Sequence, residues 1–180
     1  MRSGLLALAL ALPLGSCMLG DESSSGAEGA TSDETSGFME DPTCMLQGDL
    51  ELELGEGEQE FSALAAGELP ELFWGLQGGQ HMWMAVRVKN PNLEDQKLAI
   101  TIDVEYCDSN CEDENNWTVD NHRELLADET TLAITPEGWF EQCRMRVTVF
   151  GYVDAAYQRV EMTVTDPCGR QGVVSTSSFP

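Results

Sequence analysis

Leu98-Ala99-Ile100-Thr101-Ile102-Asp103-Val104-Glu105-Tyr106 is the stretch that fixes the class of this chain. Leu98, Ile100, Ile102 and Val104 fall on one side of an extended backbone; Thr101, Asp103 and Glu105 fall on the other. A period of two, with branched apolar residues on one side, describes a strand that buries one face and wets the other. The same alternation recurs in Leu50-Glu51-Leu52-Glu53-Leu54 and in Met82-Trp83-Met84-Ala85-Val86-Arg87-Val88-Lys89. It returns in Arg144-Met145-Arg146-Val147-Thr148-Val149 and in Arg159-Val160-Glu161-Met162-Thr163-Val164-Thr165. Shorter candidates lie at 61–64, 117–119 and 131–134. Helical signal is limited to a turn or two near 65–72 and 121–128.

Gly78-Gly79, Asn90-Pro91-Asn92, Pro136-Glu137-Gly138 and Asp166-Pro167 punctuate these runs as turns. Seven or eight short strands in about 135 residues predict an all-β domain, an antiparallel two-sheet sandwich of immunoglobulin-like or jelly-roll type. The segment Leu132-Ala133-Ile134-Thr135-Pro136-Glu137-Gly138-Trp139, leading into a strand over 143–150, resembles the E–F corner of immunoglobulin-like and fibronectin-type-III domains. An aromatic side chain plugs that corner in those domains. The resemblance implies this role for Trp139 or Phe140.

The first seventeen residues, MRSGLLALALALPLGSC, carry a different message. Arg2 precedes an apolar run from Gly4 to Leu14, too short for a bilayer, which needs roughly 20 apolar residues. The layout is that of an export signal. Leu14-Gly15-Ser16-Cys17 resembles the lipobox of bacterial lipoproteins. The resemblance implies a signal peptide over 1–16, cleavage before Cys17, and acyl chains on the Cys17 thiol and new amino group. Met18, in place of the Asp that retains such proteins at the inner membrane, implies the outer membrane. Residues 17–42 then form a disordered, acidic linker. From Gly20 to Asp41 nearly every residue is small or polar, with Asp21, Glu22, Glu28, Asp33, Glu34, Glu40 and Asp41 and no base. Such a composition cannot bury enough surface to offset the entropy of ordering. The sandwich occupies 43–180.

The formal net charge is −23. Residues 43–180 keep 25 acids against 8 bases. This balance argues against nucleic acid as a partner and against direct domain contact with an anionic membrane. The expected membrane association runs through the lipid on Cys17, and the expected partner is a protein or glycan of unspecified identity. Trp74, Trp117 and Trp139 are the loop aromatics from which binding contacts would come.

Beyond Cys17, an exported chain has five cysteines to oxidise: Cys44, Cys107, Cys111, Cys143 and Cys168. A hairpin pairing 143–153 with 157–167 through Asp154-Ala155-Ala156 would set Cys143 opposite Pro167, so a Cys143–Cys168 bridge is expected. Cys107 and Cys111 are close enough to pair locally. Cys44 is then left over, and the spacing alone leaves other pairings open.

Two places invite a metal reading. Asp108, Asn110, Glu112 and Glu114 offer alternating oxygens of the kind Ca²⁺ takes. The glycine at the sixth position of an EF-hand loop is absent, with Asp113 there, and Val119 stands where the bidentate Glu belongs. His81-Met82-Trp83-Met84 offers imidazole and thioethers suited to copper, but in a strand the two methionines face away from His81. No nucleophile elbow, zinc-protease motif or phosphate loop occurs. The expectation is a non-enzymatic protein without a cofactor, and a metal-binding envelope lipoprotein is the alternative.

Overall fold

The computed structural model describes residues 44, 49–75, 78–93, 97–128 and 131–179. The signal segment 1–16 and the linker 17–42 lie outside the described residues. The described residues form ten strands: β1 (Glu51–Glu56), β2 (Ser62–Ala63), β3 (Phe73–Trp74), β4 (Gln80–Lys89), β5 (Leu98–Cys107), β6 (Thr118–Ala127), β7 (Ala133–Ile134), β8 (Phe140–Val149), β9 (Tyr157–Thr165) and β10 (Gln171–Ser177). They form two antiparallel sheets. The first runs β2-β1-β4-β8-β7, with β3 also pairing with β4; the second runs β10-β9-β5-β6.

The alternation seen in the sequence is the alternation of burial. Met82, Met84, Val86 and Val88 of β4 meet Met145, Val147 and Val149 of β8 on the inner side of the first sheet. Ile100, Ile102 and Val104 of β5 and Val160, Met162 and Val164 of β9 line the second. Burying an aliphatic side chain of this size contributes about 1.5–3 kcal/mol, which is what holds the two sheets face to face.

Named in chain order as A, B, C, C′, D, E, F and G, the strands β1, β4, β5, β6, β7, β8, β9 and β10 give sheets A-B-E-D and C′-C-F-G. That is the strand order of an immunoglobulin-type sandwich. The strand β2 is a short addition at the β1 edge, and β3 is a short one paired with the start of β4.

This order corrects the predicted hairpin. β8 and β9 belong to different sheets, so residues 143 and 167 do not face each other. The Cys143–Cys168 bridge is not formed. Cys168 pairs with Cys44, 124 residues away. The local Cys107–Cys111 bridge is formed. Asn92 Nδ2 lies 2.9 Å from Cys168 Sγ, and its backbone N–H donates to Asp166, so the bridge sits where the 90–92 turn meets the β9–β10 connection.

The corner is also displaced. Residues 132–139 make the tight β7–β8 turn within one sheet, closed by Thr135 N donating to Trp139 O at 2.9 Å. The chain crosses between sheets one strand later, through a short 3-10 turn at Tyr152–Asp154. Tyr152, 1% exposed, fills the crossing. Burial pushes its phenol well above the ordinary value, so it stays neutral.

The segment 121–128, a possible helix on sequence, is almost wholly strand β6. Its inward residues, Asn121, Arg123, Leu125 and Ala127, close the side of the sandwich. Asn121 Nδ2 donates to Thr148 O at 2.8 Å, and Arg123 Nη1 donates to Arg146 O. A register shift between Val104 and Glu105 leaves Asp120 of β6 without a partner across the ladder. Its carboxylate turns to accept from the N–H groups of Phe150 and Gly151, both at 2.7 Å.

Candidate interaction surface

The outer face of the first sheet concentrates aromatic and basic side chains on a strongly acidic molecule. On β4 the outward positions are His81, Trp83, Ala85, Arg87 and Lys89, opposite to the buried methionines and valines. Arg87 anchors one half of this face. Its guanidinium donates to Glu53 Oε2 from Nε at 2.9 Å and from Nη2 at 2.5 Å. It also lies between Phe61 and Trp139, at 4.9 and 4.8 Å from the ring centroids. Phe61 can lie there because residue 55 is glycine: a Cβ at Gly55 would stand 2.4 Å from the Phe61 ring. Lys89 adds a second cation over Trp139 at 5.5 Å. Such contacts contribute about 0.5–1 kcal/mol each at exposed sites. Glu141, beside Arg87 in the ladder, is buried. Burial raises its carboxyl above the usual range, against the opposing pull of Arg87.

The other half holds His81 between Phe73 and Trp83. The Phe73 ring is tilted at 6.0 Å, and Trp83 meets the imidazole edge-on at 5.4 Å. Arg146 of β8 pairs with Trp83 in the ladder. Desolvation, and secondarily the Arg146 charge, lower the His81 proton affinity. His81 Nδ1 is buried and has no hydrogen-bond partner among the described residues. An unsatisfied buried polar group of this kind costs about 1–3 kcal/mol.

The face is shaped by a bulge. Ladder partners step from Met84–Met145 to Val86–Gln142, so Cys143 and Arg144 stand opposite Ala85 alone. Arg144 takes the left-handed conformation, φ 61°. Its N–H donates to Gly57 O at 3.1 Å, while Gly57 N–H donates to Trp83 O at 2.8 Å, binding the 57–60 turn to the sheet.

Of the loop tryptophans, Trp74 is 75% exposed and the other two are partly covered. Trp117 lies under the Arg159 guanidinium at 4.3 Å and donates its indole N–H to Cys111 O at 3.1 Å. Trp139 is held by Arg87 and Lys89, as above.

The Asp108–Glu114 oxygens do not gather into a site. Asp113 accepts from the backbone and side chain of Asn115, which lowers its pKa, and caps the following short 3-10 turn. Glu114 accepts from Arg159 at 2.9 Å, and Arg159 also holds Glu105. The Asn110 carbonyl accepts from Asn116 Nδ2 at 2.9 Å. Asp108 and Glu112 are exposed on the loop. No group of three or more His, Cys, Asp or Glu side chains able to hold a metal ion occurs among the described residues. The copper pattern separates across the sheet: Met82 and Met84, both 0% exposed, are in the core, and His81 is on the other side.

On the outer face of the second sheet, His122 Nδ1 lies 2.6 Å from Asp103 Oδ1, and Nε2 lies 3.4 Å from Glu124 Oε1. Hydrogen bonds to these carboxylates raise the His122 pKa.

Comparison with protein-family models, with curated proteins and with solved structures finds no match to this chain. No helix among the described residues is long and apolar enough to cross a membrane.

The Phe73–His81–Trp83–Arg146 neighbourhood went unread in the sequence. Its signal was present, since His81 and Trp83 share a face in the β4 alternation. Locating Arg146 beside them requires the β4–β8 pairing, which local pattern does not specify.

Proposed function

We propose that this chain is a non-enzymatic lipoprotein of the bacterial outer membrane that presents a β-sandwich for interaction at the cell envelope. The supporting observation is Leu14-Gly15-Ser16-Cys17 behind a charged start and an apolar run. Acylation of Cys17 supplies the membrane hold. Each buried methylene contributes about 0.8 kcal/mol, and stable anchoring takes two chains or a second signal. The acidic linker over 17–42 spaces the domain from the bilayer, and its like charges favour extension. The partner is a protein or glycan, received on the aromatic outer face of the first sheet.

The test is expression in a bacterial host with radiolabelled palmitate, followed by detergent partitioning. The wild-type chain takes up label and partitions with the detergent. Cys17→Ser gives an unlabelled, unprocessed or aqueous form. Label retained by Cys17→Ser refutes the proposal. A peptide joining Cys17 to Cys143 by a disulfide also refutes it, because a thiol in a disulfide cannot carry a thioether lipid.

A further inference from the structure

Asn116-Trp117-Thr118 is an Asn-x-Ser/Thr triplet, the acceptor pattern for N-linked sugar on exported chains. Asn90, Asn92, Asn110, Asn115 and Asn121 all lack Ser or Thr two places on. The fold sets the triplet where a sugar has room. Asn116 ends the short 3-10 turn Glu114–Asn116, Thr118 opens β6, and both residues are exposed. Trp117 between them is half-buried, held by Arg159 and by its bond to Cys111 O, so it fixes the pair at the surface. Asn116 Nδ2 donates to Asn110 O at 2.9 Å. The triplet lies at the end of the sandwich where β5 finishes and β9 begins, since Cys107 pairs with Tyr157. The Cys44–Cys168 bridge lies at the opposite end, in the β9–β10 connection. Strands of nine or ten residues separate the two ends by about 30 Å.

We propose that Asn116 is the acceptor for an N-linked oligosaccharide. The donor is an oligosaccharide on a polyprenyl pyrophosphate, and the catalyst is a membrane oligosaccharyltransferase. Asn116 Nδ2 attacks the anomeric carbon, and a C–N bond forms. The bond from that carbon to the pyrophosphate oxygen breaks, and its electron pair leaves with the pyrophosphate. One amide proton passes to a base of the transferase. The second Nδ2–H remains, so the product can still donate to Asn110 O as the unmodified side chain does. Bacterial transferases of this class also read an acid two places ahead of the asparagine. Glu114 stands there, its side chain 75% exposed. The sugar then occupies the tip of the domain away from the tethered end and leaves the outer face of the first sheet uncovered. The proposal rests on the export half of the reading above and does not depend on the lipid.

The experiment has two arms, both on the full chain. In the first, the chain is expressed in a bacterial host that carries such a transferase and its lipid-linked oligosaccharide. In the second, the purified chain, reduced and unfolded, meets the solubilised transferase and the same donor, so export plays no part. Mass spectrometry of tryptic peptide 98–123 reads the product. The peptide gains the mass of the oligosaccharide, and fragmentation places it on Asn116. Asn116→Gln and Thr118→Ala lose the added mass, Thr118→Ser keeps part of it, and Asn115→Gln keeps it all. The modified domain melts within about 2 °C of the unmodified one, because the acceptor is exposed. Sugar in the second arm but not in the first upholds the acceptor and counts against export. Absence of sugar from Asn116 in both arms, transfer that survives Thr118→Ala, or a modified domain that no longer folds would each overturn the proposal.

Discussion

Removing the Cys44–Cys168 bridge should cost this domain far more than removing Cys107–Cys111. The two bridges close loops of very different size, with sequence separations of 124 and 4. In the chain-entropy treatment the first constrains the unfolded chain by about 4.9 kcal/mol and the second by about 1.9 kcal/mol. The long bridge also joins the segment before β1 to the middle of the β9–β10 connection, beside Asn92 and Asp166. The comparison uses Cys44→Ala with Cys168→Ala against Cys107→Ala with Cys111→Ala, so that neither variant leaves an odd thiol. Equilibrium unfolding in urea reads the difference. With a slope of about 2 kcal/mol/M, the midpoint falls by about 2.5 M in the first variant and about 1 M in the second. A loss in the first variant no larger than in the second would refute the reasoning. It would mean that the segment around Cys44 gains as much freedom in the native state as in the unfolded one, so that the bridge constrains neither selectively.

Ile102→Ala, at a position 0% exposed between β6 and β9, should cost about 2–5 kcal/mol, whereas Leu126→Ala, 64% exposed, should stay within about 0.5 kcal/mol by the same urea titration. Asp120→Ala removes the acceptor for two backbone N–H groups at the β8 exit and should cost about 1–3 kcal/mol, with faster amide exchange at Phe150 and Gly151. The two histidines should act in opposite directions on pH dependence. The raised pKa of His122 gives stability that is full below 6.5 and lost as pH rises through the folded value, so His122→Asn weakens the protein more at pH 5.5 than at pH 8. The lowered pKa of His81 costs stability as pH falls below 6.5, so His81→Gln flattens the acid limb; the reverse ordering of melting temperatures would contradict both assignments. Glu141 has a raised pKa, so its ionised form is disfavoured and the cost appears as pH rises above 4.5. Glu141→Gln should therefore stabilise at pH 7 and change little at pH 4, as measured by thermal unfolding.

Alternation by itself determined the all-β class and the inward side of β1, β4, β5, β8 and β9, because side-chain direction along a strand depends only on local backbone geometry. The Cys107–Cys111 bridge was legible for the same reason, since four residues of separation constrain geometry locally. The strand β10 lacks a clear alternation because Gly172 and the serines dilute Val173 and Val174; of β6 only the start, near 117–119, reads as strand, and 121–128 reads as a possible helix, because its inward face holds Asn121 and Arg123, which bond across to β8 rather than join an apolar row. Sheet membership was decided only by the tertiary structure. Whether the chain after β8 folds back beside it or crosses to the other sheet depends on where Tyr152 finds burial and on how the β4–β8 and β5–β9 ladders pair. That choice moved Cys168 to Cys44 and placed Arg146 beside His81 and Trp83. Both outcomes join residues far apart in sequence, and their energies come from packing that exists only once both sheets are assembled.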